Sequence, residues 1–102
     1  MANYNVSGLE TLSKLAALKK EIWFVYIISC KDKTLYTGIT NNIQKRLNDH
    51  GNGNGAKYTK NRGPFTLMYT EKCSGRIGAS QREYQIKRMT RAQKLTLLAE
   101  QQ

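Results

Sequence analysis

Glu83 is the acidic residue whose position is least expected of a surface carboxylate. In a helix predicted over roughly 77–89, Glu83 shares one stripe with Ala79 and Ile86, on the side that should face a sheet. Burying an unpaired carboxylate costs several kcal/mol. Glu83 is therefore expected either to pair with a cation, most simply an arginine, or to bind a metal ion.

Arg46 and His50 are spaced four residues apart on a second predicted helix. This helix is capped by Thr40 or Asn41 and runs to about His50, and its apolar pair is Ile43 and Leu47. Arg46 and His50 border that apolar face, so neither points at open water. A guanidinium in such a place can hold a phosphate with two hydrogen bonds.

Two tyrosines lie on the strands of a predicted β-hairpin, with its turn near 31–33. If the loop has three residues, Tyr26 opposes Gly38, Ile28 opposes Tyr36, and both phenols share one face of the sheet. A four-residue loop would place them on opposite faces. Gly38 across from Tyr26 would leave room for its ring or for a ligand.

Basic residues give the chain a formal charge of +10, from 17 Lys and Arg against 7 Asp and Glu. Residues 57–102 carry 10 basic and 3 acidic side chains, so most of the excess lies in the second half. Within it, residues 57–62 interleave cations with Tyr58, a composition suited to phosphates and a stacked base. The pattern indicates a polyanionic partner, and nucleic acid is favoured over a merely solvated surface.

The predicted elements follow the order (α)ββαβαα, an α+β fold with a small antiparallel sheet flanked by helices. Strands are expected over 22–30, 35–40 and 65–73, and Thr90 with Gln93 forms a capping box before a last helix near 91–100. An extra N-terminal helix over 7–20 is either packed on the domain or available to a protein partner. We expect an extension over 1–21 and a domain over 22–102.

Length and composition exclude several classes of protein. A chain of 102 residues corresponds to one domain, and no apolar run reaches the ~18 residues of a membrane helix. No secretory signal is visible, and two cysteines are too few for a disulfide scaffold or a zinc cluster. A cytoplasmic protein without membrane contact is expected, and the sequence does not indicate its oligomeric state.

The candidate residues occur in an order that resembles the GIY-YIG nuclease superfamily. Val25-Tyr26-Ile27 and Tyr36-Thr37-Gly38 are similar to its paired signature, with the two tyrosines ten residues apart. Arg46 follows on a helix, and Glu83 lies on the next long helix. The short length, His50 and Lys57-Tyr58-Thr59 resemble the small stand-alone bacterial subgroup, which is related to the N-terminal nuclease domain of an excinuclease.

This resemblance implies an endonuclease that hydrolyses DNA phosphodiester bonds with one divalent cation, Mg²⁺ or Mn²⁺, and structure-specific action in repair or recombination is one form of that activity. Glu83 would hold the metal, Arg46 would stabilise the transition state, one of Tyr26 and Tyr36 would accept a proton from water, and His50 would supply or relay it. RNA is not excluded. The residues expected to grip the nucleic acid are Lys57, Tyr58, Lys60, Arg62, Arg82, Lys87 and Lys94.

Two positions depart from the pattern of many relatives. Ile39 stands where they carry a lysine, and no asparagine occurs from 84 to 102. Lys87 or Lys94 could substitute electrostatically for that asparagine. The alternative interpretation is therefore a non-catalytic nucleic-acid-binding module on a nuclease fold.

Overall fold

The computed structural model describes residues 22–101, which form a three-stranded antiparallel sheet with three helices. The helix predicted over 7–20 lies outside the described residues. In chain order the elements are β1 (Ile22–Ser29), β2 (Leu35–Thr40), α1 (Ile43–Gly51), a 3₁₀ turn (Lys57–Thr59), β3 (Thr66–Ser74), α2 (Gly75–Lys87) and α3 (Arg91–Glu100). The predicted α+β class is confirmed.

Strand β1 is the central strand, with β2 on one side and β3 on the other. Its sequence is β-branched and aromatic, as a strand covered on both faces requires. Val25, Ile27 and Ile28 are fully buried. The sheet is therefore organised around β1, and the side chains of this strand reach both layers of the molecule.

The β1–β2 hairpin has the three-residue loop that places both tyrosines on one face. The register pairs Tyr26 with Gly38 and Ile28 with Tyr36. The loop closes through a hydrogen bond from the Cys30 amide to the Thr34 carbonyl, 2.8 Å long. The four-residue loop, which would have separated the phenols, is thereby excluded.

The two faces of β1 carry different chemistry because strand side chains alternate. Val25 and Ile27 pack in an apolar cluster with Ala79 and Ile86 of α2 and Leu98 of α3. Tyr26 points to the other face, where α1 supplies a buried histidine rather than an aliphatic side chain. One layer is thus an ordinary core, and the other is polar.

Local sequence signals set most helix ends, but the predicted starts of α1 and α2 are corrected by the structure. The Thr90–Gln93 capping box of α3 is present. The cap of α1 is Asn42, not Thr40 or Asn41, because the Asn42 side chain accepts from the Lys45 amide while the Thr40 hydroxyl is bonded to the Asn42 backbone. Helix α2 begins at Gly75, directly after β3, and so starts before residue 77.

Among residues 22–101, no helix has the length and apolar character needed to cross a membrane. Cys30 is buried and Cys73 is half-buried, and both are free thiols.

The pairing of Tyr26 with Gly38 generates a stability prediction. A methyl group at Gly38 would lie 2.7 Å from Cζ of Tyr26, so Gly38→Ala must displace a buried ring. We expect a loss of about 1–3 kcal/mol in the free energy of unfolding, measured by urea denaturation. Gly78→Ala is the matched control, because its methyl group would meet no atom within 4 Å in the interior of α2. It should stabilise by up to about 1 kcal/mol. Equal effects of the two variants would contradict the packing of Tyr26 against Gly38.

Candidate active site

Tyr26 lies at the centre of a polar cluster and is only 1% exposed. Its hydroxyl lies 2.8 Å from Nε2 of His50, and Nε of Arg46 donates to the same oxygen over 3.3 Å. Burial raises the pKa of Tyr26 above its ordinary value, and the Arg46 hydrogen bond and charge partly oppose that rise. The phenol is therefore protonated at neutral pH and has its hydrogen available for the imidazole.

The partners of His50 determine which of its nitrogens carries the proton. The Thr59 hydroxyl donates to the Ala56 carbonyl over 2.8 Å, so it can only accept at its 2.7 Å contact with Nδ1 of His50. Nδ1 therefore carries the hydrogen, and Nε2 accepts from Tyr26. Arg46, Tyr26, His50, Thr59 and the Ala56 carbonyl form one chain of hydrogen bonds that runs in a single direction.

His50 is kept neutral by its surroundings. The residue is 2% exposed, and desolvation, followed by the charge of Arg46, lowers its pKa below the ordinary value of 6.5. Asp49 opposes this shift to a smaller extent. A neutral imidazole with Nε2 directed at a phenol is a proton acceptor, which is the role that general base catalysis requires.

Tyr36 joins the cluster through its ring. The ring centroid lies 6.4 Å from that of Tyr26 and 5.5 Å from that of His50. Tyr58 stacks on Tyr36 at 5.8 Å, with the two planes inclined by 23°. Tyr36 is only half-buried, so it is the tyrosine of the pair that faces the solvent.

Glu83 lies on α2 between buried Ala79 and Ile86, and its side chain is 22% exposed. Its cation is Lys87, at 3.2 Å, and not an arginine. Nζ of Lys87 also lies 5.9 Å from the ring centroid of Tyr36. The Glu83 charge contributes to the raised pKa of Tyr26. Lys87 therefore lies between the Glu83 carboxylate and the ring of Tyr36.

The donor set around Glu83 bears on whether a metal ion fits. Among residues 22–101 there is no group of three or more His, Cys, Asp and Glu side chains that could enclose a metal. A lone, partly exposed carboxylate suits Mg²⁺ or Mn²⁺, because these hard cations keep several waters and are commonly held by one or two carboxylates plus phosphate oxygens. The residues present fit such a loosely held ion.

The side chains predicted to bind nucleic acid differ in their exposure and in their ion pairs. Lys57, Tyr58 and Lys60 are exposed on the 3₁₀ turn and just after it. Arg62 lies 4.6 Å from the Tyr58 ring centroid and pairs with Asp32 at 2.8 Å, so its charge is partly neutralised by that carboxylate.

Arg82 has a structural partner. Its Nε lies 3.1 and 3.0 Å from the two carboxylate oxygens of Glu71, which also accepts from the Tyr69 hydroxyl. This pair ties α2 to β3. Lys87 lies beside Glu83, and Lys94 is half-buried on α3. These cations were all predicted to bind nucleic acid, and the structure shows that they differ in burial and in their partners within the protein.

Sequence reasoning did not assign a role to Thr59 or recognise how deeply His50 is buried. Thr59 is 1% exposed and fixes the His50 tautomer, and His50 is the most buried side chain of α1. The signal for Thr59 was its place in Lys57-Tyr58-Thr59, nine residues after His50. No periodicity could have shown that a histidine takes the core position instead of Leu47.

Residues 22–96 match the family model described as the GIY-YIG catalytic domain. Together with the sheet and helices above, this match defines a protein with a nuclease fold. The UPF0213 protein of Clostridium perfringens is 54% identical over 76 residues, which are 74% of this chain and 82% of that protein. The UPF0213 protein of Nitratidesulfovibrio vulgaris is 51% identical over 79 residues, which are 78% and 72% of the two chains.

Solved structures give the same result. The solution NMR structure of a UPF0213 protein from Bacillus halodurans has a TM-score of 0.51 and 40% identity, covering 76% of this chain and 83% of that one. An E. faecalis protein has a TM-score of 0.56 and 34% identity, covering 78% and 85%. The chain belongs to the GIY-YIG family, and the curated relatives named above are UPF0213 proteins. The resemblance drawn from the sequence is confirmed.

The burial of neutral His50 generates a pH prediction. Because its folded pKa is below the unfolded value of 6.5, the unfolded chain binds more protons as the pH falls below 6.5. The free energy of unfolding should therefore decrease as the pH falls below about 6.5. Urea unfolding across this range would measure the slope.

His50 is the only histidine of the chain, so His50→Gln should flatten that slope. As an independent check, ¹⁵N NMR of the wild-type imidazole should show the hydrogen on Nδ1. An Nε2–H tautomer, or wild-type stability that rises on acidification, would contradict the assigned chain of hydrogen bonds.

Proposed function

We propose that this protein is a divalent-metal-dependent endonuclease that hydrolyses phosphodiester bonds of DNA. The observation that carries the proposal is the chain of hydrogen bonds from Arg46 through Tyr26 to neutral His50, with Glu83 linked to Tyr36 through Lys87. A guanidinium, a phenol with a proton acceptor and a carboxylate are the groups that phosphodiester hydrolysis uses.

Arg46 would bind the phosphate undergoing cleavage. Its Nε is engaged by the Tyr26 oxygen, which leaves the two terminal nitrogens of the guanidinium for phosphate oxygens. Hydrogen bonds that strengthen as negative charge develops lower the barrier more than they improve ground-state binding. Tyr26 therefore orients the side chain that stabilises the transition state.

Tyr26 and His50 would act together as the base. The Tyr26 oxygen takes a proton from the attacking water while its own hydrogen passes to Nε2 of His50, which lies 2.8 Å away. The raised pKa of Tyr26 and the lowered pKa of His50 make this transfer unfavourable in the resting protein. The relay would operate only when the water is being deprotonated, so the resting pair remains neutral.

Glu83 would hold the metal ion. When bound there, a divalent cation would neutralise phosphate charge and stabilise the leaving oxygen. Lys87, whose ammonium is half-exposed at 3.2 Å from Glu83, can move aside because it is bound only by a surface pair. Its charge would stay near the substrate and serve in place of the asparagine found in many relatives.

Cleavage assays test the enzyme proposal. Supercoiled, linear and branched DNA would be incubated with Mg²⁺ or Mn²⁺, and Glu83→Gln should reduce the cleavage rate by roughly 100-fold or more. Glu100→Gln is the matched control, since it removes an exposed carboxylate at the end of α3. Salt-sensitive binding without any metal-dependent cleavage would instead identify a nucleic-acid-binding module.

The choice of base is tested by two phenylalanine variants. Tyr26→Phe should lower the cleavage rate by about 10²-fold, because it removes the hydroxyl bonded to His50. Tyr36→Phe keeps the ring that stacks on Tyr58 and should cost less than about tenfold. The reverse order of effects would assign the proton transfer to Tyr36.

A further inference from the structure

A polar cleft of about 370 Å³ adjoins the candidate active site at Arg46. It lies between the end of β2, the start of α1 and the beginning of α2. Its lining includes Trp23, Thr40, Lys45, Arg46, Asp49 and Arg76. The volume is in the range of sites that hold one small ligand. We call it the Trp23–Arg76 cleft.

Positive charge is concentrated in this cleft. Lys45, Arg46 and Arg76 contribute three cations, and Asp49, the one acid among the described residues that line it, is paired with Lys45 at 3.2 Å. Phosphate is the ligand that such a lining favours, because guanidinium groups bind its oxygens with two parallel hydrogen bonds. None of these side chains except Arg46 was assigned a function from the sequence.

Arg76 is held in place by an aromatic ring. Its Cζ lies 5.5 Å from the centroid of the Trp23 ring, within the range of a cation–π contact. Trp23 is half-buried and packs against the apolar core cluster, so the ring is a fixed support for the exposed guanidinium. The contact with the ring leaves the nitrogen donors of Arg76 able to bind phosphate.

Another large cavity of the described chain has different chemistry. It measures about 570 Å³ and lies beside Leu47, Phe65 and Leu67. No charged side chain is among the described residues that line it. The Trp23–Arg76 cleft is therefore the better match to an anion, despite its smaller volume.

We propose that the Trp23–Arg76 cleft is a second phosphate-binding site, which holds a phosphodiester next to the one being cleaved. This inference rests on the proposed function, since it extends the path of the nucleic acid away from Arg46. A strand whose scissile phosphate is bound by Arg46 would place a neighbouring phosphate between Arg76 and Lys45. The cleft thus sets the position of the strand relative to the cleaved bond.

Trp23 provides a direct test because it is the only tryptophan of the chain. Its fluorescence would be titrated with a single-stranded DNA 12-mer and, separately, with inorganic phosphate, in EDTA so that no cleavage occurs. We expect a saturable change with DNA, and affinity for inorganic phosphate that is at least about 100-fold weaker. Equal affinities would show a general anion pocket and overturn the assignment to a phosphodiester.

Arg76→Ala should weaken DNA binding about tenfold and reduce the salt dependence by about one charge. Arg76→Lys should restore only part of the affinity, because lysine lacks the planar fork. Arg88→Ala is the matched control: Arg88 is another exposed arginine that lies over an aromatic ring, 5.2 Å from Tyr84, at the C-terminal end of α2. It should change the affinity less than twofold.

The outcomes separate this proposal from the proposed function. Equal losses for Arg76→Ala and Arg88→Ala, or DNA binding without a change in Trp23 fluorescence, would overturn the cleft even if the protein cleaves DNA. Binding that depends on Arg76, found in a protein that does not cleave DNA with either metal, would support the cleft and remove the nuclease assignment.

Discussion

The hydrogen bond between Tyr26 and His50 is the constraint on which the site depends. Both side chains are almost fully buried, so each must find a polar partner within the protein. Glycines make the approach possible at both ends, since a methyl group at Gly38 would overlap Tyr26 and one at Gly55 would overlap His50. Thr59 then completes the set by fixing the imidazole tautomer.

This buried pair divides the site into a fixed part and an adjustable part. Arg46 is positioned by the Tyr26 oxygen, which is itself held by strand β1 and by His50. Glu83, by contrast, is bonded to a lysine whose side chain is 51% exposed. In the proposed mechanism, preorganised donors suit Arg46, which would meet transition-state charge, and a mobile partner suits Glu83, which would exchange Lys87 for a metal ion.

The sequence was informative where local rules decide the structure. The capping box at Thr90 set the start of α3, and the sequence allowed two possible hairpin registers, of which the structure has the one for a three-residue loop, with Tyr26 and Tyr36 on one face. Burial of His50 and the pairing of Arg82 with Glu71 depend on contacts between residues far apart in the chain, which periodicity does not contain. The roles of individual polar side chains were therefore the least predictable part.

The ion pairs of the described acidic residues differ in how easily a metal ion would displace the partner. Of the five acidic residues between 22 and 101, four form salt bridges. Glu71 is bonded by Arg82 and Tyr69 between two elements, so replacing its partner would break a tertiary contact. Asp32 closes the hairpin turn by accepting from Thr34, and that contact lowers its pKa.

Asp49 pairs with Lys45 within α1 and lines the basic cleft, where its charge limits the excess of cations. Glu83 with Lys87 is, like Asp49 with Lys45, an i,i+4 pair on one helix, a type worth about 0.3–0.5 kcal/mol, so in the proposed function a divalent cation would displace Lys87 at little cost.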